Sequence, residues 1–349
     1  MSAQSKKISS APPRHPLKSM AIRWMSDRRK YAMAYRCEAL TSCCRELALI
    51  CGLLLLTAGQ AWAAETPGPP QIKQANVDGV TLVYQEQGNG APVVFIHGCC
   101  TDLRAWDAQR QAIAPHYRFI GLDLRYHGTA PWPDDGSKYS IQTHVDDIAA
   151  FIRGLNAGPV DLVGWSYSGP MVLLVALQHP ELVHSLFIHE PASVSFVTDP
   201  ARVKTATEDR QAMLGPVIAA SKAGDVAGVA RLVPGAVNRQ PEYFDTATPD
   251  IRSMFLDNAR TFKLVLQAPP PPPLTCDQLR QMKMPVMITR GEETRSFYRI
   301  AAEGAAGCIP GAELGIIPGG RHLSMIQQPD AFNATLLGFL SKAGSQPKP

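Results

Sequence analysis

Val160-Asp161-Leu162-Val163-Gly164-Trp165-Ser166-Tyr167-Ser168-Gly169 is the stretch that decides how this chain folds. Val160–Val163 reads as a buried strand. Ser168–His179 follows it with a helical pattern. Small residues at Gly164, Ser168 and Gly169 leave room for a sharp turn between strand and helix. A serine at the tip of such a turn must take strained backbone angles, and only small neighbours avoid clashes there. Ser166 is thereby exposed, with the positive end of a helix dipole beneath it. That placement makes it a candidate nucleophile.

Working outward, strands and helices alternate. Val80–Gln85 reads as an edge strand and Pro92–Ile96 as a buried one. A helix is predicted around Trp106–Ala114, a strand at Phe119–Leu122, a helix at Thr143–Leu155 and a strand at Ser185–His189. This order predicts an α/β fold: a mostly parallel sheet covered by helices on both faces. The alternation stops near residue 192. Helical patterns at 203–221, 224–233 and 249–267 follow without a convincing strand. They end in five consecutive prolines, Pro269 to Pro273, which favour a stiff extended segment. Pattern then resumes with a strand at Pro285–Thr289, a helix holding Arg299–Gly304, a strand at Glu313–Ile317 and a helix at Pro329–Leu340. The expected division is a core of 72–191 and 274–342, a helical lid of 192–273 inserted into it, and a short tail of 343–349.

Gly164-Trp165-Ser166-Tyr167-Ser168 resembles the G-x-S-x-G elbow of the α/β-hydrolase fold family, with Ser168 where the second glycine usually stands. Val93-Val94-Phe95-Ile96-His97-Gly98-Cys99-Cys100 is similar to the family's strand followed by His-Gly, whose loop gives a backbone N–H to the oxyanion hole. The resemblance implies the amides of Cys99 and Tyr167 as the two donors, acting on charge that develops only in the transition state. His97, at the strand end, reads as a structural histidine holding that loop. Pro318-Gly319-Gly320-Arg321-His322 matches the family's Gly-x-x-His position and implies His322 as the general base.

The acid has two places to come from. The family usually takes it three residues beyond a glycine after the strand represented here by Pro285–Thr289. In Gly291-Glu292-Glu293-Thr294 that position is Thr294, which cannot serve, so Glu292 and Glu293 stand as alternatives. The other place is the end of the strand after the nucleophile's helix, Leu186-Phe187-Ile188-His189-Glu190-Pro191. A carboxylate ending an apolar strand lies at the sheet edge where open α/β folds bind ligands, and it is costly there without a partner. Glu190 is therefore the first choice, to orient His322 and stabilise its imidazolium.

The resemblance implies an enzyme that forms an acyl-enzyme on Ser166 and hydrolyses it with water activated by His322. The expected substrate is a small molecule with a carbonyl centre, a carboxylic ester or lactone with a moderately apolar group. The same triad supports carbon–carbon bond hydrolysis, amide hydrolysis and cofactor-free perhydrolysis, and a non-catalytic small-ligand-binding relative is the reading from another class. Dehalogenation and epoxide opening on this fold want an aspartate nucleophile, which Ser166 argues against. No cofactor and no metal are implied. Phe196, Tyr243, Phe244, Phe255 and Phe262 of the lid, with Trp106 and Trp132, are candidates to line an apolar acyl pocket.

Nothing in the charge balance of the body calls for a nucleic-acid partner. The chain of 349 residues carries a net charge of +4, yet residues 1–63 hold ten Lys and Arg against three Asp and Glu. The rest keeps 24 of the 34 basic and 27 of the 30 acidic residues, so the body is slightly acidic. Arg45, the apolar run Leu47–Ala58 and Ala61-Trp62-Ala63 have the order of a secretory signal peptide cleaved after Ala63. The run is short for a membrane span of ~20 residues. The expectation is a periplasmic or secreted protein without stable membrane insertion, with 64–71 as a linker. Of the eight cysteines, Cys99, Cys100, Cys276 and Cys308 remain after cleavage. In an oxidising compartment Cys276 and Cys308 are the candidate disulfide, whereas adjacent Cys99 and Cys100 are poorly placed to pair with each other. None of the spacings is a zinc pattern.

Overall fold

The structure, a computed structural model, describes residues 67–345. The expected signal segment of 1–63 and its cleavage site lie outside the described residues.

The described strands form one eight-stranded sheet in the order β1-β2-β4-β3-β5-β6-β7-β8. Their ranges are β1 Gln71–Val77, β2 Val80–Gln87, β3 Pro92–Ile96, β4 Arg118–Leu122, β5 Val160–Trp165, β6 Val183–His189, β7 Val286–Gly291 and β8 Glu313–Ile317. From β4 through β8 every neighbouring pair is parallel. β1 and β2 form an antiparallel hairpin that joins the sheet through β2 and β4. Asp78 and Gly79 at its tip both have positive φ, 48° and 81°, the backbone that a tight two-residue hairpin turn requires.

The hairpin corrects two expectations. β2 is not an edge strand, because β1 covers its outer side along its length. β1 also begins at Gln71, inside the stretch assigned to the linker. At the other end, the last helix runs past Leu340 to Gly344 and buries Ala343, so the tail begins later than expected.

Alternation within the strands splits the core into two layers. Val94 and Ile96 of β3 face the helices Ile141–Gly154 (α2) and Ser168–Gln178 (α3), together with Ser296–Cys308 (α10). Val93 and Phe95 face Asp107–Ile113 (α1) and the last helix, Pro329–Gly344. Between β6 and β7 the chain leaves the sheet for a helical insertion. It holds Pro200–Lys222 (α4), Val226–Asn238 (α5), Tyr243–Thr246 (α6), Pro249–Asn258 (α7) and Phe262–Gln267 (α8). Asp199, Asp225 and Thr248 cap three of these helices with side-chain oxygens. The return passes through Pro269–Pro273 to buried Leu274. A disulfide then joins Cys276, at the start of the short helix Cys276–Leu279 (α9), to Cys308 at the end of α10, with 5.1 Å between their Cα atoms.

Candidate active site

The site is built outward from the end of β5. Ser166 has φ of 57°, a left-handed conformation costing about 1–3 kcal/mol for a residue with a Cβ. Three backbone hydrogen bonds hold it there. Its N–H donates to the His189 carbonyl at 3.0 Å, and its own carbonyl accepts from the amides of Gly169 at 3.0 Å and Ala192 at 2.9 Å. The small neighbours are required by contact. A Cβ on Gly164 would lie 2.6 Å from Val172 Cγ2, and one on Gly169 would lie 2.6 Å from Pro191 Cα. Ser168, in place of a glycine, uses its hydroxyl. Its Oγ accepts from the Trp165 amide at 2.9 Å and donates to the Ile96 carbonyl at 2.8 Å, tying the elbow to the last residue of β3.

His322 lies on the loop after β8 and is buried. Trp165 Nε1 donates to its carbonyl at 3.0 Å, and the following amide, of Leu323, donates to Asn238 Oδ1 at 2.9 Å. The imidazole bridges two side chains. Nε2 is 2.8 Å from Ser166 Oγ and Nδ1 is 2.7 Å from Glu190 Oε2. An ionised carboxylate only accepts, so Nδ1 carries the proton and Nε2 accepts from the serine hydroxyl. The Tyr298 ring stacks on the imidazole at 3.7 Å between centroids, with 12° between planes. Tyr298 gave no signal in the sequence, because it reaches the site from α10, which carried only a helical period.

Glu190 directly follows β6, with φ of 49° and no exposed surface. Its amide donates to the Thr289 carbonyl at 2.9 Å. Oε1 accepts from the Gly291 amide at 2.7 Å, and Oε2 accepts from Thr294 Oγ1 at 2.9 Å as well as from His322. Burial pushes its pKa up, but the hydrogen bonds from His322 and the Gly291 amide work against it, and the carboxyl is held below its usual range. Burial also lowers the pKa of His322, and Glu190 opposes that only in part. The resting pair is therefore a neutral imidazole beside a carboxylate.

Glu292 and Glu293 do not reach His322. Glu292 accepts from the Gly319 amide at 2.9 Å, and Glu293 pairs with Arg321 at 2.8 Å on the surface. Thr294, which occupies the usual acid position, instead donates to the carboxylate that has taken its place. The spacing of three residues from Gly291 was the available signal for that role.

The loop after β3 is held by its histidine. His97 Nδ1 donates to the Gly98 carbonyl at 2.8 Å, and Thr101 Oγ1 donates to the same oxygen at 3.0 Å. His97 Nε2 accepts from the Leu124 amide at 3.1 Å. Burial pushes its pKa down to about 4, so the ring stays neutral and can play both parts. The Gly98 carbonyl and the Cys99 N–H share one trans peptide plane and point in opposite directions. Fixing the carbonyl therefore fixes the N–H. Arg125 stands apart from this site, paired with Asp147 through bonds of 2.6 and 2.9 Å.

Ser166, Tyr167, Cys99 and His322 line a cavity of about 410 Å³. Its walls are apolar, with Met213, Val237 and Phe297 from the helices and all five prolines from the strap. Among the described residues, Arg210 is the one lining residue with a permanent charge. Of the expected aromatics, Phe255 and Phe262 line the cavity. Phe196, Tyr243, Phe244 and Trp106 are buried in packing instead, and Trp132 lies under the Arg260 guanidinium at 4.9 Å. Among the described residues, no group of three or more His, Cys, Asp or Glu is arranged to hold a metal ion.

Known proteins resemble this chain in sequence and fold. The chain is 36% identical over 110 residues to (E)-2-((N-methylformamido)methylene)succinate hydrolase of Acinetobacter baylyi, a match covering 31% of this chain and 40% of that protein. It is 26% identical to 2-hydroxy-6-oxo-6-(2'-aminophenyl)hexa-2,4-dienoic acid hydrolase of Metapseudomonas resinovorans, covering 76% of this chain and 90% of that one. The enol-lactonase of Burkholderia xenovorans LB400 superposes with a TM-score of 0.60 at 20% identity, over 77% of this chain and all of that structure, which speaks to the fold. Residues 91–329 match the family described as alpha/beta hydrolase fold, and that match, over a sheet and insertion of the kind just described, makes this chain a hydrolase-family member of the α/β-hydrolase fold.

Proposed function

We propose that the protein is a serine hydrolase that cleaves carboxylic esters or lactones with an apolar group, through an acyl-enzyme on Ser166. The observation that carries this reading is the hydrogen-bonded chain Ser166–His322–Glu190 at the wall of an apolar cavity. Neutral His322 takes the serine proton as Oγ attacks the carbonyl carbon, and buried Glu190 stabilises the imidazolium that results. The amides of Cys99 and Tyr167 receive the oxyanion, at about 3–4 kcal/mol for each donor. His322 returns the proton to the leaving oxygen, then activates water to release the acid. The helical insertion acts as a lid that supplies the acyl wall. A fluorophosphonate probe should label Ser166 and be excluded by Ser166→Ala. Folded protein that stays unlabelled and hydrolyses none of a panel of p-nitrophenyl esters and lactones defeats the proposal.

A second reading, hydrolysis of a carbon–carbon bond, is favoured by the relative matched over 90% of its length, whose name is that of a dienoic acid hydrolase. The same panel separates the two when a vinylogous diketone acid is added: turnover of that compound far above any ester selects it. We also propose export to the periplasm or the medium with cleavage after Ala63. The basic-apolar-small order of residues 45–63 and the Cys276–Cys308 disulfide support it. N-terminal sequencing of the mature protein should begin at Ala64.

A further inference from the structure

Cys99 and Cys100 are the free cysteines among the described residues, and they occupy the loop whose Cys99 amide is proposed to hold the oxyanion. Their adjacency argued against pairing. Neighbouring Cα atoms across a trans peptide are about 3.8 Å apart, less than the ~4.4–6.8 Å of ordinary disulfides. In extended backbone, adjacent side chains also point to opposite faces. The structure removes the second obstacle. Cys100 has φ of 56°, a left-handed conformation, and its Sγ lies 3.3 Å from that of Cys99. Cys99 is half-buried and lines the catalytic cavity, whereas Cys100 is wholly buried in the apolar cluster around Trp106. One thiol is thus reachable through the substrate entrance, and the second waits behind it.

We propose that Cys99 and Cys100 form a redox modification site, closing to a disulfide between adjacent residues that displaces the oxyanion donor and stops catalysis. The catalytic half of this inference rests on the serine-hydrolase reading; the ring itself does not. The oxidant is a small-molecule disulfide that enters the cavity. The Cys99 thiolate attacks one of its sulfurs, forming a mixed disulfide and releasing one thiolate. The Cys100 thiol then loses its proton and its sulfur attacks Cys99 Sγ, closing the ring and releasing the second thiolate. Two protein thiols are oxidised, one external disulfide is reduced, and the two protons end on the two released thiols. The sulfurs must approach from 3.3 Å to about 2.05 Å. That closure twists the peptides on both sides of Cys99, against the two hydrogen bonds that fix the Gly98 carbonyl. The hydrogen-bonding contact with Cys99 and burial push the Cys100 thiol well up, which slows the closing step. A ring strained in this way is readily reduced, as labile regulatory disulfides are.

The test treats the full chain with glutathione disulfide, alkylates free thiols, and maps the peptide that contains both cysteines. The expected result is loss of two hydrogens from that peptide without alkylation. Ester hydrolysis falls at least about tenfold in step with it and is recovered with dithiothreitol. Cys100→Ala should stop at the mixed disulfide, its peptide carrying one glutathione on Cys99 and no ring. The reduced wild type is its own control, so the test stands even where the variant fails to fold. In the wild type, stable glutathione on Cys99 without ring closure overturns the proposal, as does a closed ring with undiminished turnover. Phenylarsine oxide, which bridges paired thiols, gives a reading independent of turnover. It should bind one equivalent at this peptide in the wild type and none in Cys100→Ala, and equal binding to both overturns the dithiol site even when no substrate is found.

Discussion

The ends of β6 and β7 lie side by side at the C-terminal edge of the sheet, and they exchange roles relative to the family's usual arrangement. β7 ends in Gly291 and leads to Thr294, where the acid is usually found; here both give hydrogen bonds to a carboxylate from the neighbouring strand. β6 leads directly into Glu190, held in a left-handed conformation and shut off from solvent. The difference teaches that the imidazole requires a fixed anion at Nδ1 and not a particular strand to supply it. It also shows how a buried carboxylate is tolerated. Desolvation alone would drive Glu190 to its neutral form, and three donors at 2.7–2.9 Å keep it charged.

The sharpest way to break this comparison is Glu190→Gln. It should lower kcat by about 10³–10⁴-fold, whereas Glu292→Gln and Glu293→Gln should stay within about twofold of wild type. Adding Thr294→Asp to Glu190→Gln moves the anion to β7 and should recover at least about tenfold of the lost rate. Loss of activity in the Glu292 or Glu293 variants instead, measured with one good ester, would place the anion on the later loop.

The pH profile sharpens the same point. Only neutral His322 accepts the serine proton, so kcat/KM rises with pH as the imidazole loses its own. Burial lowers its pKa, so the midpoint should lie below the ordinary 6.5. Glu190 is the group that raises the pKa against burial. Removing its charge in Glu190→Gln should therefore move the midpoint of the residual activity lower still, and an upward move would contradict the pairing.

Thr294→Val removes one donor and leaves the others. A single hydrogen bond to a charged group is worth about 1.5–3 kcal/mol, and partial compensation by the Gly291 amide should limit the fall in kcat to roughly tenfold with little change in KM. The smallest effect on rate is expected from Cys276→Ser. That bridge, across 32 residues of sequence, should contribute about 2–4 kcal/mol to stability, so the melting temperature falls while kcat holds.

How much of this was legible depended on whether a local pattern carried the information. The β5–α3 elbow was, because strand, small residues and helix are contiguous around Ser166. His322 followed from its place after the last strand, and Glu190 from a carboxylate ending an apolar run. β1 was missed because Gln71–Val77 is largely exposed and lacks apolar alternation; its strand character comes from pairing with β2. The burial of Ala343 was missed because it is set by packing against the far face of the sheet. Ser168 counted only as a small residue, since its bond to Ile96 crosses 72 positions. Tyr298 and the facing sulfurs of Cys99 and Cys100 likewise depend on distances and backbone torsions that no spacing records.

The proline strap has a consequence beyond stiffness. Five consecutive residues, Pro269 to Pro273, border the cavity without a single backbone N–H among them. That stretch of wall can accept hydrogen bonds but has none to offer. A substrate's ester or hydroxyl oxygens find no donor along it, and water held there is anchored from one sign of partner only. Hydrocarbon leaves no donor unmet on that side. The strap is therefore selective by what it withholds: a wall that gives oxygen no donor and costs carbon nothing.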